Sequence, residues 1–150
     1  MAKILVLHGP NLNLLGQREP KFYGKVTLEE INQSLTRLAE ENGVEVVCFQ
    51  SNSEGEIIDL LHKEGMEADC VILNPAAYTH YSIAIRDAVK GIRTPVIEVH
   101  LSNIYAREDF RQHSVIAPVA IGQISGFGHA SYQMAFFVAL NIIKAKNTTK

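Results

Sequence analysis

The chain has 150 residues, enough for a single domain with its own core, and its 14 basic and 16 acidic side chains leave a formal net charge of −2. No positive field is available to hold a polyanion, so nucleic acid is disfavoured as a partner. The two cysteines, Cys48 and Cys70, sit in separate apolar runs without CxxC or zinc spacing, and the start, MAKILVLHGP, has too short an apolar run for a leader or membrane span. Buried reduced thiols in a soluble cytoplasmic protein, with no metal site and no membrane association, are therefore expected.

The first apolar run is ILVL at 4 to 7, followed by a glycine-bounded loop, GQREPKFYG at 16 to 24. That loop carries Arg18 and Tyr23, and it reads either as a solvated turn or as a functional segment. Thr27 opens TLEE, the spacing of a capping box, and the apolar face at Ile31, Leu35, Leu38 and Ala39 predicts a helix that Gly43 stops. A strand is expected at VEVVCF, 44 to 49. Ser53 opens a second capping box, SEGE, before a helix that should stop at Gly65. CVIL at 70 to 73 reads as the third strand, and a helix starting near Tyr81 or Ser82 runs to Gly91. PVIEV at 95 to 99 and APVAI at 117 to 121 read as strands four and five. A helix from about His129 to Lys144, apolar on most sides, closes a domain spanning 1–145, and 146–150 form a polar tail.

The runs are Val/Ile-rich and mostly continuous, as strands covered on both faces should be. Alternation with helices implies right-handed crossovers and a three-layer α/β sandwich: a five-stranded parallel sheet of flavodoxin-like order 2-1-3-4-5. In such a sheet the ligand site lies beyond the carboxyl ends of the strands. Those ends read HGPN (His8 to Asn11), QSNSE (from Gln50), NPAAYTH (Asn74 to His80) and EVHLSN (Glu98 to Asn103). Amides, imidazoles and hydroxyls converging on one edge suit a small polyhydroxylated ligand. Each residue also has a plain structural reading: His8 as a strand cap, Asn74 before Pro75 as a turn starter. Glu98 and His100 give the sharpest local signal, because they share a strand face and a carboxylate beside an imidazole fixes its tautomer, although a purely structural pair has the same spacing.

Several chemistries are disfavoured by the sequence. HGPN after the first strand lacks the acidic residues of a magnesium-binding receiver. GxxxxGK[ST], HExxH and GxSxG are missing, and GQISGFG after the fifth strand lacks a dinucleotide fingerprint. No lysine lies within an apolar run past its first residue, which argues against a buried Schiff-base lysine. Acid and base chemistry by His, Tyr, Asn and Arg is left.

Three long motifs, GPNLNLLGQREPKFYG at 9 to 24, NPAAYTHYSIAIRDA at 74 to 88 and EVHLSNIYAREDFRQHS at 98 to 114, resemble those of type II 3-dehydroquinate dehydratases. Small departures are Ala76 where glycine is frequent, Tyr81 where threonine is, and Tyr105 where histidine is. The resemblance implies a cofactor-free lyase converting 3-dehydroquinate to 3-dehydroshikimate in the shikimate route to aromatic amino acids, by anti elimination through an enolate. It implies Tyr23 as base, with Arg18 lowering its pKa, His100 as acid oriented by Glu98, and Asn11 holding a water on the enolate oxygen. It further implies that backbone N–H groups of Leu101 and Ser102 hold the substrate carboxylate, and that Asn74, His80 and Arg111 hold ring hydroxyls. Asp87 would reach a neighbouring subunit of a homododecamer, a tetramer of trimers. Under this resemblance the opening loop is a lid bringing Arg18 and Tyr23 over the substrate. A flavodoxin-like module that binds a small ligand without turnover, and a structural oligomer with a polar rim, are the readings from other classes.

Overall fold

A computed structural model of the chain describes residues 1–17 and 25–148. Its five strands are β1 (Lys3–His8), β2 (Glu45–Gln50), β3 (Cys70–Asn74), β4 (Val96–His100) and β5 (Gly122–Ser125). All neighbours pair in parallel in the order β2-β1-β3-β4-β5, the expected flavodoxin-like topology.

Among the described residues the α-helices are α1 (Leu28–Asn42), α2 (Glu54–Leu60), α3 (Ile83–Gly91) and α4 (Ala130–Thr148). Local chemistry explains where they begin. Thr27 accepts from the Glu30 N–H at 3.1 Å, and Ser53 accepts from the Glu56 N–H at 3.2 Å, the two capping interactions the spacing foretold. At α3 the cap is Ser82, whose hydroxyl accepts from the Ile85 N–H at 3.0 Å. Gly43 ends α1 in the left-handed region at φ 68°, where a side chain would be strained.

The alternation of strand side chains builds two cores. Ile4, Val6, Ile72, Ile97 and Val99 face α1 and α4, meeting Leu35, Phe136 and Ala139. Leu5, Leu7, Val71, Leu73 and Val96 face α2 and α3, meeting Ile57, Leu61, Ile85 and Val89. Both faces of the sheet are therefore covered, which accounts for the continuous apolar runs. Among the described residues no helix is long and apolar enough to cross a membrane. Cys70 is buried, Cys48 half-buried, and both are free thiols.

Three expected boundaries are corrected. The fifth strand is not APVAI: Pro118 has no N–H, and the Ile116 carbonyl takes the N–H groups of Val119 and Ala120 at 2.9 and 3.0 Å, closing a turn. The strand is instead the next segment, GQIS, entered as the Ile121 N–H bonds the Val96 carbonyl at 2.8 Å. Gly65 does not stop the second helix, which passes through a π turn at Leu61–Gly65 before the chain turns to β3. The Gly65 carbonyl is taken up by the Thr94 hydroxyl at 2.7 Å. The last helix extends to Thr148, past Lys144 and into the segment read as a tail.

Candidate active site

The carboxyl ends of β1, β3 and β4 open into a cleft of about 620 Å³, measured out to its open mouth. Asn11, Asn74, His80, His100, Leu101, Ser102 and Arg111 line it, together with Arg107, which the sequence reading did not single out. Of the candidates, Glu98 lies just beneath, fully buried on β4. Asp87 is exposed on α3 and is not part of this cleft wall. Arg18 and Tyr23 lie outside the described residues.

Glu98 and His100 share the face of β4 that Val96 presents to α2 and α3. His100 Nε2 donates to Glu98 Oε2 at 2.5 Å. The same carboxylate accepts from the Thr79 hydroxyl at 2.5 Å and from the Ser114 hydroxyl at 2.9 Å to each oxygen. Ser114 is fixed in turn, accepting the N–H groups of Ile116 and Ala117 at 3.1 and 3.0 Å. Burial alone would push the Glu98 carboxyl upward. The hydrogen bond and charge of His100, with the Thr79 and Ser114 hydroxyls, outweigh it and hold the group below the ordinary carboxylate range. An anionic carboxylate thus commits Nε2 of His100 as donor and leaves Nδ1 to exchange a proton with a ligand.

The rest of the wall is equally pinned. Asn11 stands at φ 68°, a left-handed conformation that asparagine tolerates, and its N–H donates to Asn52 Oδ1 at 2.9 Å. Gln50 ties the same corner together by donating to the Gly9 carbonyl at 3.1 Å and to Asn52 Oδ1 at 3.2 Å. His80 Nδ1 donates to the His113 carbonyl at 2.9 Å, and burial holds its pKa below the usual imidazole value, so its Nε2 is an acceptor at neutral pH. Arg111 keeps its guanidinium over the Phe110 ring, 5.0 Å from the centroid, with Nε donating to Glu108 at 2.7 Å. Gly9 is the point of closest approach: a Cβ there would stand 2.7 Å from Pro75 backbone atoms.

Thr79, Ser114, Asn52 and Tyr132 were missed as members of this arrangement. Each reaches a partner across a long stretch of chain, from 16 residues for Ser114 and Glu98 to 124 for Tyr132 and His8, and nothing local to their positions signals it.

Fold and cleft together define a flavodoxin-like α/β protein whose strand-end site presents a buried, carboxylate-bound imidazole among amides and a guanidinium. The family model described as dehydroquinase class II matches residues 2–140. The chain belongs to that family. It is 67% identical over 137 residues to a 3-dehydroquinate dehydratase of Pelotomaculum thermopropionicum, covering 91% of this chain and 95% of that one. To the 3-dehydroquinate dehydratase of Carboxydothermus hydrogenoformans it is 56% identical over 145 residues, covering 97% and 94%. The crystal structure of the type II dehydroquinase of Butyrivibrio crossotus superposes with a TM-score of 0.90 at 45% identity, covering 92% of this chain and 97% of that chain.

Proposed function

We propose that the chain is a hydro-lyase that removes water from 3-dehydroquinate to give 3-dehydroshikimate. The observation that carries this reading is the His100–Glu98 pair at the base of a cleft whose other polar groups are held in place before any ligand arrives. Elimination of a β-hydroxy ketone needs a base to take the proton beside the carbonyl, a donor to the enolate oxygen, and an acid for the departing hydroxyl. His100 is the acid, donating through Nδ1, with Glu98 stabilising the imidazolium that precedes transfer. Asn11 holds a water against the enolate oxygen. Leu101 and Ser102 receive the carboxylate, and Asn74, His80 and Arg111 the ring hydroxyls. Tyr23, with its phenolate favoured by Arg18, is the base. The proton taken by Tyr23 and the hydroxyl protonated by His100 leave on opposite faces of the ring, an anti elimination that needs no cofactor.

The assembly proposed is a homododecamer of four trimers, in the cytoplasm, in which Asp87 of one subunit serves the cleft of the next. Asp87 is exposed on α3 and stands apart from its own cleft wall, which supports that role, and sedimentation velocity would test it. For the reaction, added 3-dehydroquinate should raise ultraviolet absorbance as the conjugated enone forms. His100→Ala should lower turnover by about 10²- to 10⁴-fold with the fold intact. Binding of the compound with no absorbance change would instead make the chain a ligand-binding module.

A further inference from the structure

Behind the cleft wall, on the sheet face opposite Glu98, a second set of buried polar groups runs from helix α1 to the cleft. His8, at the end of β1, is 1% exposed, and Tyr132, on α4, is fully buried. His8 Nε2 donates to Asn32 Oδ1 at 2.7 Å. That bond fixes the tautomer, because an amide oxygen can only accept, so Nδ1 of a neutral ring must itself accept. It does so from the Tyr132 hydroxyl, at 2.9 Å. Having spent its proton there, the Tyr132 oxygen accepts from Asn74 Nδ2 at 2.9 Å. Asn74 Oδ1 is thereby turned toward the chain ahead and accepts the Ala76 N–H at 3.0 Å. Ala76 stands at φ 53°, a conformation rare without glycine, and it lines the cleft beside Asn74.

Every bond in this sequence has one permitted direction. We propose that Tyr132 is a positioning residue, whose hydroxyl, with its direction set by His8 and Asn32, decides which way round the Asn74 amide faces the cleft. One Nδ2 proton and one Oδ1 lone pair of Asn74 are consumed inward, so a ligand meets one donor and one acceptor at fixed places. With the ring protonated at both nitrogens, Nδ1 would donate to Tyr132, the hydroxyl proton would turn toward Asn74, and the amide nitrogen would have to face the Ala76 N–H. Burial opposes that state, pushing His8 down to about 4 despite the bond to Asn32. His8 and Tyr132 are used by no step of the reaction proposed above, yet a packed Phe at 132 would fill the same space. Their polarity needs another reason, and the direction of Asn74 supplies it.

The proposal rests on the dehydratase reading, and a double-mutant cycle between Tyr132→Phe and Asn74→Ala, assayed on 3-dehydroquinate with the full-length protein, separates the two. If the wild-type chain produces no enone, the dehydratase reading is overturned and this role goes with it. With wild-type turnover present, Tyr132→Phe should keep the native circular dichroism spectrum and lose about 10- to 100-fold in kcat/KM, as a binding group displaced by about an ångström does. The division of that loss between KM and kcat should copy that of Asn74→Ala. Within Asn74→Ala, adding Tyr132→Phe should cost less than about twofold more, since there is no amide left to orient. Full activity in Tyr132→Phe, or losses that multiply, would overturn the proposal while leaving the dehydratase reading standing. Should Tyr132→Phe fail to fold, Asn32→Ala at the outer end of the same sequence is put through the same cycle. It should lose activity several-fold, and that loss should vanish in the Asn74→Ala background; an unchanged rate or a multiplying loss overturns the role.

Discussion

Replacing Glu98 with glutamine exchanges one carboxylate oxygen for an NH₂ group in the tightest part of the site. The glutamine oxygen can inherit the contacts made by Oε2, accepting from Thr79 and His100, both at 2.5 Å from that atom. Its NH₂ group must then take the place of Oε1 and face Ser114 Oγ, which already accepts from Ile116 and Ala117. An amide N–H with no acceptor in the interior costs about 1–3 kcal/mol of stability, or roughly 2–10 °C in melting temperature for a chain of this length. Separately, the bond to His100 ceases to be charge-assisted, a difference of about 1–2 kcal/mol that is felt most when the imidazole is cationic. At about 1.4 kcal/mol per decade, kcat should fall roughly 5- to 30-fold. Initial rates of enone formation and thermal unfolding by circular dichroism measure both quantities. The pH dependence adds a sign. Glu98 is held below its ordinary value in the fold, so its stabilisation is complete above about pH 4.5 and is lost as pH falls through the folded value. Glu98→Gln should lack that part of the acid transition. A variant with kcat within twofold of wild type and an unmoved melting curve would show that the carboxylate charge is irrelevant to His100.

Three other outcomes follow from the geometry. His8 is lowered from 6.5 to about 4, so the unfolded chain binds more protons in that interval and stability must fall as pH drops through it, by about 3 kcal/mol in all. His8→Gln should flatten urea-derived stability between pH 4 and 6.5, and an unchanged slope would contradict a neutral buried ring. Gly9→Ala would bring a Cβ to 2.7 Å from Pro75 backbone atoms, so it should cost about 1–3 kcal/mol and lower activity by moving the β1 end against β3; a melting temperature equal to wild type would refute that packing. Burial raises Cys48 and Cys70 to about 12, which leaves a thiolate fraction of roughly 10⁻⁴ at pH 8. Neither should react with a disulfide reagent until denaturant is added, and rapid labelling of the native protein would be the contrary result.

The architecture was legible where chemistry is local. Capping at Thr27 and Ser53 and the first four Val/Ile runs depend on neighbours within a few residues, and these read correctly. The fifth strand did not, for a physical reason: β5 lies at the sheet edge and is mostly half-exposed, so its sequence, GQIS, carries no apolar signature, while the half-exposed turn before it, APVAI, does. Pro118 was the signal that would have corrected it. Within the site, Glu98 and His100 were visible because two residues on one strand share a face. The hydroxyls that hold Glu98 and the tyrosine that holds Asn74 were not, since Tyr132 looks like one more core aromatic in a helix apolar on most sides. Its meaning depends on what the topology brings to its oxygen.

The cleft is fastened from both faces of the sheet: His8 and Asn74 through α1 and α4, Glu98 through the segments carrying Thr79 and Ser114. Tyr132 belongs to one of the two cores, and His8, Asn74, Glu98, Thr79 and Ser114 are buried beside them. Among the described residues, heat or denaturant therefore has no partial route by which to undo this wall while sparing the scaffold. Loss of the cleft wall and loss of structure become a single event, and an intact wall marks a molecule still folded.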